Sequence, residues 1–352
     1  MARLLAAMSG GVDSSVATAL AVRAGHEVVG ATLKQWEFGD EEVRLTKGCN
    51  TLDAVDDARR VAEVVGIPHY TFDFRDVFTR EVVDPFVSDY AAGLTPNPCV
   101  RCNEKVRFGE LLTKAEMLGF DGLITGHWAR ASGGRLFRAH NRDKDQSYVL
   151  YAIGSHGAHR AHFPLGDIAS KDEVRETARD LGLSNADRAD SLEVCFVGEG
   201  RRPGDVVAER VPVAVRSGPI VDRGGTVVGE HRGLAYYTIG QRKGLGAGGQ
   251  RRYVTEIDPE RNVLVVDDAD ALGADHLEAT RARFFTRPPA DGTMLSASVR
   301  YRGEEAAARF TAADDGFRLD FERPMRAVTP GQAVVLYDGD EVIGGGTISS
   351  AR

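Results

Sequence analysis

Short apolar runs alternate with longer amphipathic stretches through the first 150 residues of the chain. The apolar runs span residues 4–8, 27–33, 69–74 and 122–125, and each is typical of a buried parallel strand. The stretches between them repeat apolar residues at helical spacing and predict helices over residues 14–23, 53–65, 77–90 and 103–118. Strands and helices in alternation predict an α/β domain with a doubly wound parallel sheet.

The pattern changes in the second half of the chain. Ser170 and Glu173 form a capping box, and Gly182 closes the helix that they begin. Helical periodicity then ends, and short runs separated by glycine predict strands over residues 211–215, 253–257, 295–301, 307–311, 318–321 and 333–337. We therefore expect three domains: the α/β domain over residues 1–200, a small β-rich domain over residues 201–268 and a C-terminal β-barrel over residues 269–352.

Composition and charge limit the function classes. Of 352 residues, 42% are apolar and 27% are charged, as is ordinary for a soluble globular protein. No run approaches the ~18 apolar residues of a membrane span. Four cysteines are too few for a disulfide framework, so we expect a cytoplasmic protein with no membrane partner. The net charge of -8 argues against nucleic acid, but residues 201–250 carry eight Lys or Arg against four Asp or Glu, and residues 101–150 carry nine against six. These local basic excesses permit nucleic-acid binding.

The sequence Ser9-Gly-Gly-Val-Asp-Ser-Ser15 joins the first predicted strand to the first predicted helix. A glycine turn at that point leaves backbone N–H groups available to an anion, and the helix dipole and serine hydroxyls add to the attraction. The loop lacks the Gly-Lys-Ser/Thr ending of a P-loop and does not match the Gly-x-Gly-x-x-Gly dinucleotide motif. An ordinary glycine turn capped by Asp13 or Ser14 is the alternative interpretation.

This string resembles the pyrophosphate loop of the N-type ATP pyrophosphatases, whose fold is that of the adenine nucleotide α-hydrolases. The resemblance implies that ATP is split between its α and β phosphates and that AMP is transferred to a poorly reactive oxygen. It leaves the substrate open, because the superfamily includes amide, nucleotide and tRNA-modifying synthetases.

A second motif, Thr95-Pro-Asn-Pro-Cys99-Val-Arg-Cys102, presents two thiols on a proline-stiffened loop. We expect it to deliver Cys102 to the start of a helix near Asn103, where the dipole and nearby basic residues favour the thiolate. Cys195 lies far away in sequence, and Cys49 is expected to be an inert thiol. A structural zinc site would need a fourth ligand, and a thioredoxin-like pair does not suit an ATP-using domain, so reactive sulfur chemistry is favoured.

With both motifs in view, the chain resembles the tRNA-specific 2-thiouridylase family, which places sulfur on C2 of the wobble uridine of certain tRNAs. The resemblance rests on these segments: Met8–Ser15, Thr95–Pro98 with Cys102 and Asn103, Thr125–His127, Lys144–Tyr148, Cys195–Gly198, Thr238–Gly246 and Thr329–Gln332. It covers nearly the whole chain.

The resemblance implies a role for each matching residue. ATP, with Mg²⁺, would be held by Ala7, Met8, Ser9, Gly10, Gly11, Val12, Asp13, Ser14, Leu33 and Gly126. Cys102 would be the nucleophile and Cys195 the persulfide carrier, loaded by a donor such as a cysteine desulfurase or a sulfur-relay protein. Asn97, Pro98 and Cys99 would contact the target base, and His127, Lys144, Asp145, Gln146, Arg300, Tyr301 and Gln332 would contact the anticodon stem-loop of tRNA.

Several alternatives stay open. Some members of the family carry an acidic residue where this chain has Cys99, so Cys99, Cys102 and Cys195 could instead hold a 4Fe–4S cluster with one open iron. An adenylating synthetase acting on a small carboxylate or amide would need neither Cys102 nor Cys195. A non-catalytic RNA-binding protein with a vestigial nucleotide loop would not cleave ATP.

Overall fold

The computed structural model describes residues 1–36, 52–188, 194–198, 200–245 and 251–352. The strands of its first domain are β1 (Arg3–Ala7), β2 (Glu27–Lys34), β3 (His69–Asp73), β4 (Gly122–Ile124), β5 (Ala129–Ser132), β6 (Arg135–Arg138) and β7 (Ala161–His162). In this described part, five of them form a parallel sheet in the order β3-β2-β1-β4-β7. The expected doubly wound parallel sheet is confirmed.

Helices cover both faces of this sheet. One face packs against helices Val12–Arg23, Leu52–Val65 and Lys171–Asp180, and the other against the helical run from Arg75 to Ala91 and the run from Pro98 to Met117. Side chains alternate along β1 as strand geometry requires, since Leu4 and Ala6 join the first layer and Leu5 the second. Shorter helical segments, Ser147–Leu150, Tyr151–Ile153 and Gly154–Arg160, follow β6.

One helix begins earlier than the sequence pattern predicts. It starts at Pro98 rather than near Asn103, continues as a wide π-type segment over Cys102–Leu111 and ends in helix Leu112–Met117. The reason is local: Asn97 accepts hydrogen bonds from the N–H groups of Cys99 and Val100, and Pro98 occupies the first helical position, which proline tolerates. Cys99 therefore lies in the first turn, and Cys102 lies one turn further in.

The segment after residue 200 also departs from the prediction. Helix Pro203–Arg210 was not predicted, because eight residues give too little periodicity. The predicted strand over residues 211–215 is wrong: Pro212–Val215 is a 3₁₀ helix that continues from that helix. The side chain of Val213, in the middle of this segment, is 66% exposed. The apolar residues of the segment therefore do not form the buried face of a strand.

The central domain is a four-stranded sheet, counted within the described residues. Its strands are β8 (Gly218–Asp222), β9 (Val227–His231), β10 (Tyr253–Asp258) and β11 (Val263–Asp267), in the order β10-β11-β8-β9. The short helices Leu234–Tyr236 and Asp270–Leu272 follow β9 and β11. A small core that includes Ile220, Val254 and Leu264 stabilises this sheet.

The C-terminal domain is a closed β-barrel. Its strands, all within the described range, are β12 (Gly273–Phe284), β13 (Met294–Ser298), β14 (Glu305–Ala313), β15 (Gly316–Arg326), β16 (Ala333–Asp338) and β17 (Glu341–Ala351). β12 pairs with both β15 and β17, which closes the barrel around Phe310 and Phe317. The β5–β6 hairpin of the first domain extends the same sheet, with Phe137 opposite Glu341 in β17. In the described parts of the chain, no helix has the length and apolar character needed to cross a bilayer.

Candidate active site

The glycine loop lies at the carboxyl end of β1, where ligands of open α/β sheets bind. Gly10 has φ +74, and a Cβ there would lie 2.3 Å from the carbonyl oxygen of Ala54. Gly11 is the N-cap of helix Val12–Arg23, and no side chain of the described residues caps that helix. Its first N–H groups are thus left to a ligand or to water.

The serine hydroxyls of the loop brace the turn itself. Ser14 Oγ donates to the Gly11 carbonyl at 2.9 Å and accepts from the Ser9 N–H at 3.1 Å. Ser15 Oγ donates to the same carbonyl at 3.0 Å. The sequence predicts these hydroxyls as donors to an anion, but the protons of Ser14 and Ser15 are used within the loop, which leaves the uncapped backbone N–H groups of the helix as donors.

Residues 171–188 support the loop from outside, and the sequence analysis missed them. Asn185 is buried and donates from Nδ2 to the Gly10 carbonyl and to Ser15 Oγ, both at 2.9 Å. Lys171 Nζ lies 2.7 Å from Asp13 Oδ1, and Arg188 forms an ion pair with Asp57. No sequence signal marks these contacts, because they join segments more than 130 positions apart.

Two further segments meet the loop at the same end of the sheet. A Cβ on Gly126 would lie 2.5 Å from the Ser14 nitrogen, so only glycine allows the chain after β4 to approach so closely. Leu33, at the end of β2, is buried, and the Met8 N–H donates to the Ala31 carbonyl at 2.8 Å. The structure thus places the residues predicted for ATP around the carboxyl ends of three neighbouring strands.

The loop of residues 95–102 presents its two thiols differently. Cys99 is exposed in the first helical turn, whereas Cys102 is buried, and its Sγ lies 3.7 Å from Gln35 Nε2. Asn97 Oδ1 accepts from the N–H of Cys99 at 3.1 Å, so in this structure its side chain oxygen caps the helix. Pro98 is buried beneath them.

Cys195 lies close to the same region although it is distant in sequence. It is half-buried in a turn, and the neighbouring Phe196 packs on Phe86 at 4.9 Å and on Trp36 at 6.0 Å between ring centroids. Gln35 contacts Cys102 and the adjacent Trp36 contacts Phe196. The end of β2 therefore links the two cysteine segments.

The three thiols do not form a metal-ligand set in this structure. No group of three or more His, Cys, Asp or Glu side chains among the described residues is arranged to hold a metal ion. Cys99, Cys102 and Cys195 are all described, and the structure does not support the alternative in which they hold a 4Fe–4S cluster. Cys49 lies outside the described residues.

His127 follows Gly126 and is held in a fixed orientation. Its Nδ1 lies 2.8 Å from Thr125 Oγ1, and its ring packs edge-on against Phe163. Burial, with a smaller contribution from Arg107, lowers the pKa of His127 to about 3. The imidazole is therefore neutral at physiological pH and can exchange hydrogen bonds but not act as a cation.

Two of the residues predicted to contact tRNA also accept hydrogen bonds within the protein. Asp145 accepts from the Ala139 N–H at 2.8 Å and from Ser147 Oγ at 2.7 Å, and burial raises the pKa of its carboxyl. Gln146 Oε1 accepts from the Trp128 N–H at 3.0 Å. Lys144, next to them, is partly exposed.

A cavity of about 530 Å³ lies between the first domain and the barrel. Tyr148 and Tyr301 line it, together with Arg138, Arg302 and Glu305. Burial is the main cause that raises the pKa of Tyr301. Arg300, beside Tyr301, donates to the Ala327 carbonyl at 3.3 Å.

The three domains meet at Thr95, two residues before Asn97. The Thr95 N–H donates to the Pro330 carbonyl at 2.9 Å, and Gln332 Nε2 donates to the Thr95 carbonyl at 2.8 Å, both from the barrel. The Thr95 hydroxyl lies 2.9 Å from the Thr238 hydroxyl in the central domain. Gln332, predicted to contact tRNA, thus also fixes the loop that carries the thiols.

The sequence matches three consecutive family profiles. These are "tRNA methyl transferase HUP domain" over residues 2–199, "tRNA methyl transferase PRC-barrel domain" over residues 204–268 and "Aminomethyltransferase beta-barrel domain" over residues 274–348. The chain is 48% identical to the tRNA-specific 2-thiouridylase MnmA of Moorella thermoacetica over 98% of this chain and 99% of that one. It is 44% identical to that of Chloroflexus aggregans, over 99% of both chains, and 45% identical to that of Streptomyces coelicolor, over 99% of this chain and 95% of that one. The chain therefore belongs to the tRNA-specific 2-thiouridylase family.

Proposed function

We propose that this protein is an ATP-dependent tRNA sulfurtransferase that replaces the C2 oxygen of the wobble uridine, position 34 of tRNA, with sulfur. The products are 2-thiouridine, AMP and pyrophosphate. The observation that carries the proposal is the position of the glycine loop and both cysteine segments at the carboxyl ends of β1 and β2. Full-length similarity to 2-thiouridylases supports the choice of substrate.

ATP activates the uridine in this proposal. The backbone N–H groups at the start of helix Val12–Arg23 bind phosphate, and Leu33 and Gly126 border the nucleotide. Asp13 offers a carboxylate oxygen, the ligand type that Mg²⁺ prefers, and the ion would neutralise phosphate charge. The C2 oxygen of uridine attacks the α phosphorus and pyrophosphate leaves, so a poor leaving group becomes a phosphate monoester.

Sulfur then arrives from Cys195 as a persulfide. Its terminal sulfur attacks C2 and displaces AMP, and the Cys102 thiolate attacks Cys195 Sγ, which frees 2-thiouridine and leaves a Cys102–Cys195 disulfide. If Cys102 instead reduces the persulfide first, the released sulfide attacks C2 and the same disulfide forms. Either route needs a thiol reductant to reset the enzyme. The contacts of Gln35 and Trp36 with the two segments support this pairing.

The β domains would hold the anticodon stem-loop. A base inside that loop must turn outward to reach an active site, and aromatic side chains such as Tyr301 stack on such bases. Residues Asn97–Cys99 would face the target base, with the cavity beside Tyr301 available to the adjoining nucleotide. The basic excess of residues 201–250 suits the phosphate backbone.

The sulfur source is proposed to be a cysteine desulfurase or a sulfur-relay protein in the cytoplasm. Because the three thiols do not form a metal-ligand set among the described residues, the proposed route passes sulfur through thiols alone. Iron and sulfide analysis after anaerobic purification separates the two routes. If the protein contains stoichiometric iron and its activity requires that iron, the cluster route replaces the persulfide route.

Purified protein, tRNA, ATP and a persulfide donor test the proposal. We expect pyrophosphate release that depends on tRNA, and one 2-thiouridine per AMP. Cys102→Ser and Cys195→Ser should abolish 2-thiouridine while a single-turnover burst of pyrophosphate remains, and Cys49→Ser serves as the matched control. Full thiolation by both variants would contradict the proposal. Pyrophosphate release with a small carboxylate and no tRNA would favour the adenylating synthetase, and no ATP cleavage at all would favour the RNA-binding protein.

A further inference from the structure

The helix that carries the thiols places Cys99 and Cys102 on the same side, three residues apart. The Cys102 N–H donates to the Cys99 carbonyl as well as to the Pro98 carbonyl. A hydrogen bond between residues three apart is typical of a 3₁₀ turn, in which the side chains of those two residues are eclipsed. Cβ atoms at this spacing are about 5–6 Å apart, and a disulfide needs about 3.5–4.5 Å. A shift of only about 1–2 Å would therefore allow this pair to form a disulfide.

The thiols differ in their access to solvent. Cys99 is exposed, whereas Cys102 is only 6% exposed, and Gln35 Nε2 lies 3.7 Å from its Sγ. Cys195 is half-buried next to Phe196, whose ring packs in the core. The proposed reaction ends in a disulfide between Cys102 and Cys195, so both of its sulfurs belong to side chains that are at least half-buried. Thiol–disulfide exchange depends on access to the attacked sulfur, which favours an exposed one.

We propose that Cys99 is the resolving thiol of this enzyme. Its thiolate attacks Cys102 Sγ in the Cys102–Cys195 disulfide, a new S–S bond joins Cys99 to Cys102, and Cys195 leaves as a thiolate. This exchange is redox-neutral, because one disulfide replaces another. A protein with two thiols then attacks the exposed Cys99 sulfur, becomes a disulfide itself and returns Cys99 and Cys102 as thiols. Cys195 is thereby ready to be loaded with sulfur again.

This inference rests on the proposed sulfur transfer, because the Cys102–Cys195 disulfide is a product of that reaction. The pair serves only the enzyme's own cycle, unlike a thioredoxin-like pair that acts on other proteins. Cys99 can face the target base before this step, since resolution follows release of the modified tRNA. The competing explanation is that Cys99 only contacts the base and that the reductant attacks Cys195 directly.

Disulfide mapping after one turnover tests the inference. Protein loaded with persulfide reacts with ATP and tRNA in the absence of reductant. It is then quenched with acid and treated with a maleimide to block thiols, and the linked peptides are identified by mass spectrometry. We expect most of the disulfide in the wild type to join Cys99 to Cys102, and that in Cys99→Ser to join Cys102 to Cys195. A wild type that retains the Cys102–Cys195 disulfide, or forms any other pair, would overturn the inference.

Turnover with two reductants separates resolution from contact with the base. The measured quantity is the steady-state rate of 2-thiouridine formation divided by the single-turnover rate, so an effect on the first turnover cancels. In Cys99→Ser this ratio should fall at least tenfold with a dithiol protein such as thioredoxin as reductant. With dithiothreitol, which is small enough to reach Cys195, the ratio should fall less than threefold.

Cys49→Ser is the matched control and should keep the wild-type ratio with both reductants, after thermal unfolding has shown that each variant folds. A ratio in Cys99→Ser that is unchanged with the protein reductant, or that falls equally with both reductants, would overturn the inference. A wild type that forms no 2-thiouridine in a single turnover would instead overturn the proposed function itself.

Discussion

The two adjacent glycines of the nucleotide loop serve different purposes. Gly10 needs to be glycine for folding, because φ is +74 and a Cβ would lie 2.3 Å from the Ala54 oxygen and 2.8 Å from its Cα. Folding does not require glycine at position 11. The φ of -83 and ψ of 156 of Gly11 suit any residue, and a Cβ would meet only Ser9 Oγ, at 3.4 Å. We infer that position 11 lacks a side chain because phosphate approaches the backbone there.

The expected stabilities follow from these numbers. Gly10→Ala pays about 1–2 kcal/mol for the left-handed backbone, and the contacts with backbone atoms of Ala54 raise the total loss of unfolding free energy to roughly 3 kcal/mol or more. Gly11→Ala should change stability by less than about 1 kcal/mol, because the restriction of the unfolded chain by alanine is offset by the poorer N-cap propensity of alanine relative to glycine. Its added methyl group should weaken ATP binding at least tenfold.

Urea unfolding and ATP titration measure both quantities on the same samples. Gly11→Ala is predicted to fold as well as the wild type and to bind ATP poorly, whereas Gly10→Ala is predicted to lose stability. Gly133→Ala is the control for the left-handed backbone alone, because φ is +58 there and a Cβ meets nothing within 4 Å; it should lose only about 1–2 kcal/mol of stability and bind ATP like the wild type. Wild-type ATP affinity in a stable Gly11→Ala variant would refute the reasoning that phosphate lies against this backbone.

Three further predictions concern residues around the thiols. Asn97→Ala should lower the unfolding free energy by about 1 kcal/mol because the cap is lost, and Asn97→Asp should not; equal stability by urea unfolding would contradict the capping role. Because the pKa of His127 is about 3 in the folded chain and about 6.5 unfolded, the unfolded state binds more protons between these values. Stability should therefore fall as pH drops below about 6.5, and His127→Asn should reduce that slope in urea titrations. Gln332→Ala removes the bond to Thr95, so kcat should fall while the Kd for tRNA changes less than threefold; the reverse split would indicate that Gln332 acts only by binding tRNA.

Local signals predicted the fold well where they were strong. The strand and helix of residues 3–23 and the helix Lys171–Asp180 follow from apolar spacing and from caps such as Ser170. The helix that begins at Pro98 was predicted to begin near Asn103, because the two prolines indicated an exposed loop and the capping side chain of Asn97 was not recognised. The segment after residue 200 was misassigned because proline at 203 and 212 starts helical turns there, too short for periodicity to reveal.

The site was predictable as far as its own motifs reach. Gly10 and Gly126 carry the constraint in their residue types, since only glycine fits at these two positions. Lys171 and Asn185 could not be found this way, because their contacts with the loop depend on how distant segments pack. The same holds for the bond between Gln332 and Thr95, which joins residues in different domains.

The account depends most on two thiols acting beside one nucleotide loop. Nucleosides of tRNA from cells that lack this gene, analysed by mass spectrometry, test it most directly when the gene is returned as wild type, Cys102→Ser or Cys195→Ser. We predict that 2-thiouridine derivatives disappear without the gene, return with the wild type and stay absent with either variant. Unchanged 2-thiouridine in the cells without the gene, or full restoration by both variants, would contradict the account.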